Sequence, residues 1–169
     1  RSKTVFVLRL PTVIGPKLRL IEENGRFLHM PVDLLSHIPV ANDDWGRQYL
    51  HEDDLINILG ILSFNNVPLR GYNVFNVSPK DIVSGAELAR IFNLPTLYFP
   101  PIVIRLIYFV ASHMTLDQFM SGNGAWRYFC YPIFVDGTKI SKTLKYEYTY
   151  SSLKSIERND GRYEHLSVS

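Results

Sequence analysis

The 169-residue chain has a single cysteine, Cys130, so no internal disulfide is available and a reducing compartment suits it. It has no apolar run long enough to span a bilayer. Its most membrane-like stretch, Ile102 to Met114, is about 13 residues long and contains Arg105, against the roughly 20 apolar residues a crossing needs. That length predicts a buried helix introduced by Pro100 and Pro101, with a helix lying on a membrane surface as the alternative. Excess charge of one sign is also lacking. Lys plus Arg number 18 and Asp plus Glu 16, for a net +2 without basic clusters, so nucleic acid is not an expected partner. Neither Gly-x-Gly-x-x-Gly nor Gly-x-x-Gly-x-x-Gly occurs, and Gly122-Asn123-Gly124 is too short and follows no strand. Repeats and low-complexity tracts are absent. The chain opens RSKTVFVLRL, without a signal-length apolar run, and begins at Arg1 instead of Met, so nothing follows about processing.

What is present is a hydrophobic fraction of 46%, enough for a real core. Val5 to Leu10, VFVLRL, has the composition of a strand buried on both faces of a parallel sheet. Such a strand needs neighbours and covering helices, and four residues precede it. Preceding βα units missing from this chain are the most economical expectation. Pro11, Gly15 and Pro16 then end the strand, and residues 17 to 46 read as an irregular excursion with a short helix near Lys17 to Glu23.

Gln48 to His51 reads as a short strand. Beyond it Leu55, Ile58, Leu59 and Leu62 recur at helical spacing, and Asp53-Asp54 supplies an N-cap and first-turn negative charge, predicting a helix over 53–64. A strand at Tyr72 to Val77 precedes a second helix capped by Ser84, with Glu87 at the capping-box position. A helix near 100–114 follows, then an aromatic and glycine-rich segment, Ser121 to Phe134. Asp136 is expected to cap a short helix over Thr138 to Leu144, with another near Ser151 to Ile156. Strands alternating with helices give an α/β fold.

Four segments in this order resemble one family. LRLPTVIGP (8–16), RQYLHEDDL (47–55), YNVFNVSPKDIVSGAELARIF (72–92) and FVDGTKISKTLKYEYT (134–149) are similar, respectively, to the arginine-containing strand and turn, the Arg-x-Phe-x-His-x-Asp-Asp box, the strand with its Glu-Leu helix, and the late Asp-x-(Ser/Thr)-Lys/Arg helix of extended short-chain dehydrogenases/reductases of the NAD-dependent epimerase/dehydratase type. Two departures leave the subfamily open. Leu144-Lys145-Tyr146 stands where Leu-Gly-aromatic is usual, and Tyr49 and Glu52 replace commoner residues in the box.

The resemblance implies the C-terminal part of an NAD(P)-binding Rossmann-like fold, namely the last parallel strands plus the small substrate-binding lobe. NAD or NADP is the implied cofactor. The glycine-rich turn that cradles its pyrophosphate and the Tyr-x-x-x-Lys pair that does the acid/base work belong upstream of residue 5, so no catalytic residue is expected here. Tyr150 and Lys154 match Tyr-x-x-x-Lys literally but fall after the acidic box, which marks them as an accidental pair.

The resemblance further places Leu10, Pro11 and Thr12 where family members approach the nicotinamide, with Thr12 also near substrate; alternatively Pro11 merely ends a strand. Arg47 aligns with an arginine that grips substrate phosphates in nucleotide-sugar members, a task suited to a planar bidentate donor, or it is a structural arginine. Trp45 either stacks on a base or sugar or is a core aromatic. His51, Glu52, Asp53 and Asp54 offer four metal-ligating side chains, but a helix start accounts for the carboxylates and a buried, hydrogen-bonded role for His51, so no metal is expected.

Residues 1–157 are accordingly expected to form the substrate-binding portion and 158–169 a polar tail. The expected partners are a dinucleotide-binding half or partner chain and a small-molecule substrate, with nucleotide sugars among the candidates. Membrane contact is not expected, a homodimer is compatible, and an intracellular, cytoplasmic setting is the expectation. The contrasting readings are a non-enzymatic scaffold or assembly subunit of the same fold and a membrane-associated, steroid-dehydrogenase-like reductase.

Overall fold

The structure is a computed structural model that describes residues 4–15, 26–27, 30–31, 38–40, 45–64, 67–93, 95–113, 126–158 and 161–162. Its elements in chain order are β1 (Val5–Arg9), β2 (Thr12–Ile14), β3 (Arg26–Phe27), β4 (Met30–Pro31), β5 (Ile38–Val40), β6 (Gly46–Arg47), β7 (Tyr49–His51), α1 (Glu52–Phe64), β8 (Tyr72–Asn76), β9 (Val83–Ser84), α2 (Gly85–Phe92), β10 (Thr96–Tyr98), α3 (Pro101–His113), α4 (Trp126–Cys130), α5 (Thr138–Leu144) and α6 (Ser152–Glu157). They divide into two compact units. The first comprises residues 1–19, 48–82 and 134–169, and the second residues 20–47 and 83–133. The helix expected near Lys17 to Glu23 lies outside the described residues.

In the first unit β1 pairs in parallel with β8, placing Phe6 opposite Asn73 and Leu8 opposite Phe75, and β2 pairs in parallel with β7. β1 and β8, parallel neighbours with α1 between them in the chain, are the α/β arrangement that the alternation of elements predicts. The core consists of Leu50, Ile58, Phe75, Val77 and Ile140, with Phe6, Leu8, Val13 and Leu55 packed on it. Full burial of a side chain such as Ile58 contributes about 1.5–3 kcal/mol.

β1 is less covered than its composition predicts. Its three central residues are half-buried, its two ends are exposed, and no strand pairs with its other edge among the described residues. A strand this apolar is built for cover on both sides. The described residues of this chain supply only part of it.

α1 starts one residue before the expected Asp53, at Glu52, and its acidic first turn suits the helix dipole. α5 and α6 fall where the pattern places them. Ser151 caps α6 by accepting from the Lys154 amide, whereas the residue before α5 is Gly137 and not Asp136. Asp136 still acts there, because its Oδ1 accepts from Thr138 N–H at 2.8 Å. A side chain at 137 would collide with the backbone carbonyl of Ser78, so glycine is required by the close approach of the two segments.

In the second unit β5 and β10 pair in parallel, while β3 with β4 and β6 with β9 pair antiparallel. α2 carries the expected capping box. Glu87 N–H donates to Ser84 Oγ at 3.2 Å, and Ser84 N–H donates back to Glu87 Oε2 at 2.8 Å. Leu88 and Ala89 are its buried face.

α3 corrects an expectation. The helix forms at Pro101–His113, but it is not a buried helix: Ile104 is 5% exposed, whereas Ile102 and Leu106 are 67% and 60% exposed. Length excludes a span yet does not decide burial, since a short apolar helix needs something to cover it. No described helix is long and apolar enough to cross a membrane.

Candidate functional site

Leu10, Pro11 and Thr12 follow the last residue of β1, at the C-terminal side of the β1–β8 pair, where Val77 N–H still donates to Arg9 O at 2.9 Å. Leu10 is 44% exposed and Pro11 and Thr12 are half-buried. Thr12 opens β2 opposite Tyr49, so the chain changes strand partner at Pro11, which has no amide proton to contribute. Ends of parallel strands are where α/β sheets leave backbone groups open to ligands. These three residues have that placement.

Trp45 and Arg47 belong to the second unit and are both buried, 4% and 3% exposed. The Arg47 guanidinium lies over the Trp45 ring, 4.7 Å from its centroid, and Nη1 donates to the carbonyls of Tyr131 at 2.7 Å and Gly46 at 3.1 Å. β6 is held on one side by β9 and on the other by a parallel bridge from Arg47 to Ile133. The result is a rigid arginine whose plane is fixed by an aromatic face and whose tip is fixed by main-chain oxygens.

The acidic box serves the fold. His51 is fully buried, and its Nδ1 accepts from Asp53 N–H at 3.2 Å, so the ring nitrogen, not a carboxylate, caps the start of α1. Asp53 Oδ1 accepts from Arg162 N–H, within the stretch read as a polar tail. Asp54 is buried and accepts from the Tyr146 hydroxyl at 2.5 Å, Thr149 N–H at 2.9 Å and Tyr150 N–H at 3.0 Å. Burial of a carboxylate is sustainable only with such donors. Burial, and then the bond to Asp54, raise the Tyr146 phenol well above its ordinary range. Among the described residues no three His, Cys, Asp or Glu side chains are grouped to hold a metal ion.

Tyr150 and Lys154 are not on one helix: Tyr150 precedes the cap of α6, and Lys154 lies inside it. The Tyr150 ring stacks against His51, with centroids 4.3 Å apart, and beneath the Arg158 guanidinium at 5.1 Å. Thr149, Tyr150, Lys154, Glu157 and Arg158 line an open cavity of about 420 Å³. A Tyr-x-x-x-Lys pair works when one helical turn presents both groups to the same atom. Tyr150 lies outside α6 and Lys154 within it.

Two organising residues carried no sequence signal. Gln48 donates from Nε2 to Pro79 O at 2.9 Å and accepts at Oε1 from Val135 N–H at 2.7 Å. Asp81 accepts from Ser152 and Leu153 N–H, capping α6 from 71 positions away. Polar residues on loops reveal such roles only once the chain is folded.

No family model matches the chain, and no curated protein matches it. Solved structures do. Over 89% of this chain and 42% of its own length, the UDP-glucuronic acid 4-epimerase from Bacillus cereus, in complex with UDP-glucuronic acid and NAD, superposes with a TM-score of 0.53 at 18% identity. A UDP-galactose 4-epimerase matches with a TM-score of 0.51 at 14% identity, over 90% of this chain and 43% of that one. The human epimerase family protein SDR39U1 (isoform 2), with NADPH, gives 0.51 at 17% identity, over 89% and 46%. At these identities the likeness establishes the fold. It is the Rossmann-like α/β fold of extended short-chain dehydrogenases/reductases, of which this chain spans less than half the length of those matches.

Proposed function

We propose that this chain is the substrate-binding portion of an NAD(P)-dependent nucleotide-sugar epimerase, dehydratase or related reductase, completed by a dinucleotide-binding half. The observation that carries the reading is β1: an apolar parallel strand with one partner among the described residues, in a chain matching about two fifths of the length of epimerase and dehydratase structures that hold NAD. A strand on the other edge of β1 is what a βα unit of the completing half would provide.

NAD(P) supplies hydride acceptance and return when bound. The residues present suit one side of it, since Leu10, Pro11 and Thr12 lie beyond parallel strand ends, whereas the sequence has no glycine-rich cradle for the pyrophosphate. Leu10 and Pro11 would flank the nicotinamide and Thr12 would offer its hydroxyl to substrate. Arg47, held flat on Trp45, would meet the substrate diphosphate. Acid/base catalysis belongs to the completing half.

Calorimetric titration of the full 169-residue chain with UDP, and an absorbance assay with UDP-glucuronic acid and NAD, test this. The expected result is UDP binding that weakens about tenfold or more in Arg47→Lys, which keeps the charge and loses the fork, with no NADH produced. Turnover by the chain alone, or UDP binding indifferent to Arg47→Lys, would overturn it. The coding sequence upstream separates enzyme from scaffold: a glycine-rich turn and Tyr-x-x-x-Lys are expected there, and their absence favours a non-enzymatic subunit.

A further inference from the structure

Trp45 carries a buried donor without an acceptor. The residue is 4% exposed, and its indole Nε1 is closed to solvent and has no hydrogen-bond partner among the described residues. Buried indole N–H groups are ordinarily paired, because an unpaired one has given up its hydration for nothing in return. The residue is also well anchored. Trp45 O accepts from Gly85 N–H at 3.4 Å, and β6, which follows directly, is paired with β9. The Arg47 guanidinium lies over the ring, 4.7 Å from its centroid, with Nη1 on Tyr131 O and Gly46 O. A ring edge bearing one N–H and a cation over the face of that ring therefore stand side by side.

We propose that Trp45 Nε1 donates to a phosphate oxygen of the same ligand that Arg47 meets, so that Trp45 binds through its N–H and not by stacking. This rests on the nucleotide-sugar reading and deepens it. Stacking on a base or sugar is disfavoured, because the Arg47 guanidinium occupies one face of the ring and the residue is almost wholly buried. An acceptor standing beside a guanidinium is best anionic, and a hydrogen bond to an ionised acceptor is about twice as strong as one between neutral groups. A diphosphate has oxygens enough to meet the in-plane N–H and the guanidinium together. Since Nε1 is enclosed, the ligand oxygen reaches it through a local opening of its cover on binding.

Proton–nitrogen NMR of the isotope-labelled full chain, titrated with UDP and separately with uridine, tests this through the indole N–H resonances of its two tryptophans, Trp45 and Trp126. Trp45→Phe assigns them, or Trp126→Phe by elimination where the first variant does not fold. UDP is expected to move the Trp45 N–H resonance downfield, while uridine, which lacks the phosphates, leaves it in place. Trp45→Phe keeps an aromatic face under Arg47 and removes the donor, so UDP should bind it about tenfold more weakly. UDP that does not bind, or that binds equally to Arg47→Lys, overturns the nucleotide-sugar reading and this inference with it. UDP binding that depends on Arg47, with the Trp45 N–H unmoved or with Trp45→Phe as tight as the parent, overturns this inference alone. An equal shift with uridine does the same, since it puts the contact on the base or ribose.

Discussion

The hydroxyl of Tyr146 donates to Oδ1 of Asp54 across 92 positions of sequence, at 2.5 Å. With the amides of Thr149 and Tyr150 on the same carboxylate, this bond ties the stretch after α5 to the first turn of α1. Replacing Asp54 with Ala strands these donors and should destabilise the first unit by about 3 kcal/mol, while Tyr146→Phe should cost about 1 kcal/mol. Urea unfolding followed by circular dichroism reads both.

The same phenol sets an alkaline limit. Burial raises the Tyr146 hydroxyl beyond its ordinary value, and burial likewise pushes Tyr148 up to about 12. A phenol that resists ionisation only when folded stabilises the protein fully below its unfolded value of 10.0, and that contribution is lost as pH rises toward the folded value. Stability should therefore fall from pH 10 upward, and Tyr146→Phe should flatten the decline. Denaturation midpoints measured between pH 8 and 12 decide it; equal slopes in the two proteins count against the assignment.

Glu87 works in the opposite direction. Its hydrogen bonds to Ser84 lower its pKa below 4.5, so the capping box stabilises α2 above that value and fades as pH falls through the folded value. Ser84→Ala should cost about 1 kcal/mol at neutral pH and progressively less in acid. Thermal melts at pH 7 and pH 3 make the comparison.

Lys145 closes α5 with φ of 51°, in the left-handed region, and its amide donates to Ser141 O. It stands where the resembling family places glycine, and the backbone keeps the glycine conformation. Lys145→Gly should stabilise by about 1 kcal/mol, the strain relieved for a side-chain-bearing residue there. An unchanged melting temperature would show that the strain is absorbed elsewhere.

Gly137 permits no such freedom. Gly137→Ala drives a methyl group into the Ser78 carbonyl and should cost about 2 kcal/mol or more through forced displacement of two packed segments. A melting temperature within a degree of the parent would contradict this contact.

What the sequence disclosed follows the range of each interaction. Ser84 and Glu87 announce α2 because a capping box is complete within four residues, and the α1 helix is evident because its dipole and periodicity are local. Asp54 read as a capping carboxylate because its true donors lie more than ninety positions away. α4 and β10 passed unnoticed, one being five residues long and the other three, too short for any period to show. α3 was placed correctly along the chain and wrongly in space, since hydropathy reports what a surface prefers and not what covers it. For the candidate site, residue positions were legible but surroundings were not. Nothing near Arg47 in sequence foretells that Tyr131 O holds its Nη1.

The edge of β1 that no described strand pairs has a practical side. A row of main-chain donors and acceptors beside VFVLR, with Arg9 its single charge, is a template on which another extended segment can grow. Chains prepared at high concentration should therefore self-associate through this strand into β-rich aggregates. A lysine in place of Phe6 would disrupt the core along with the edge, so a charged substitution at the exposed Val5 is the gentler gatekeeper.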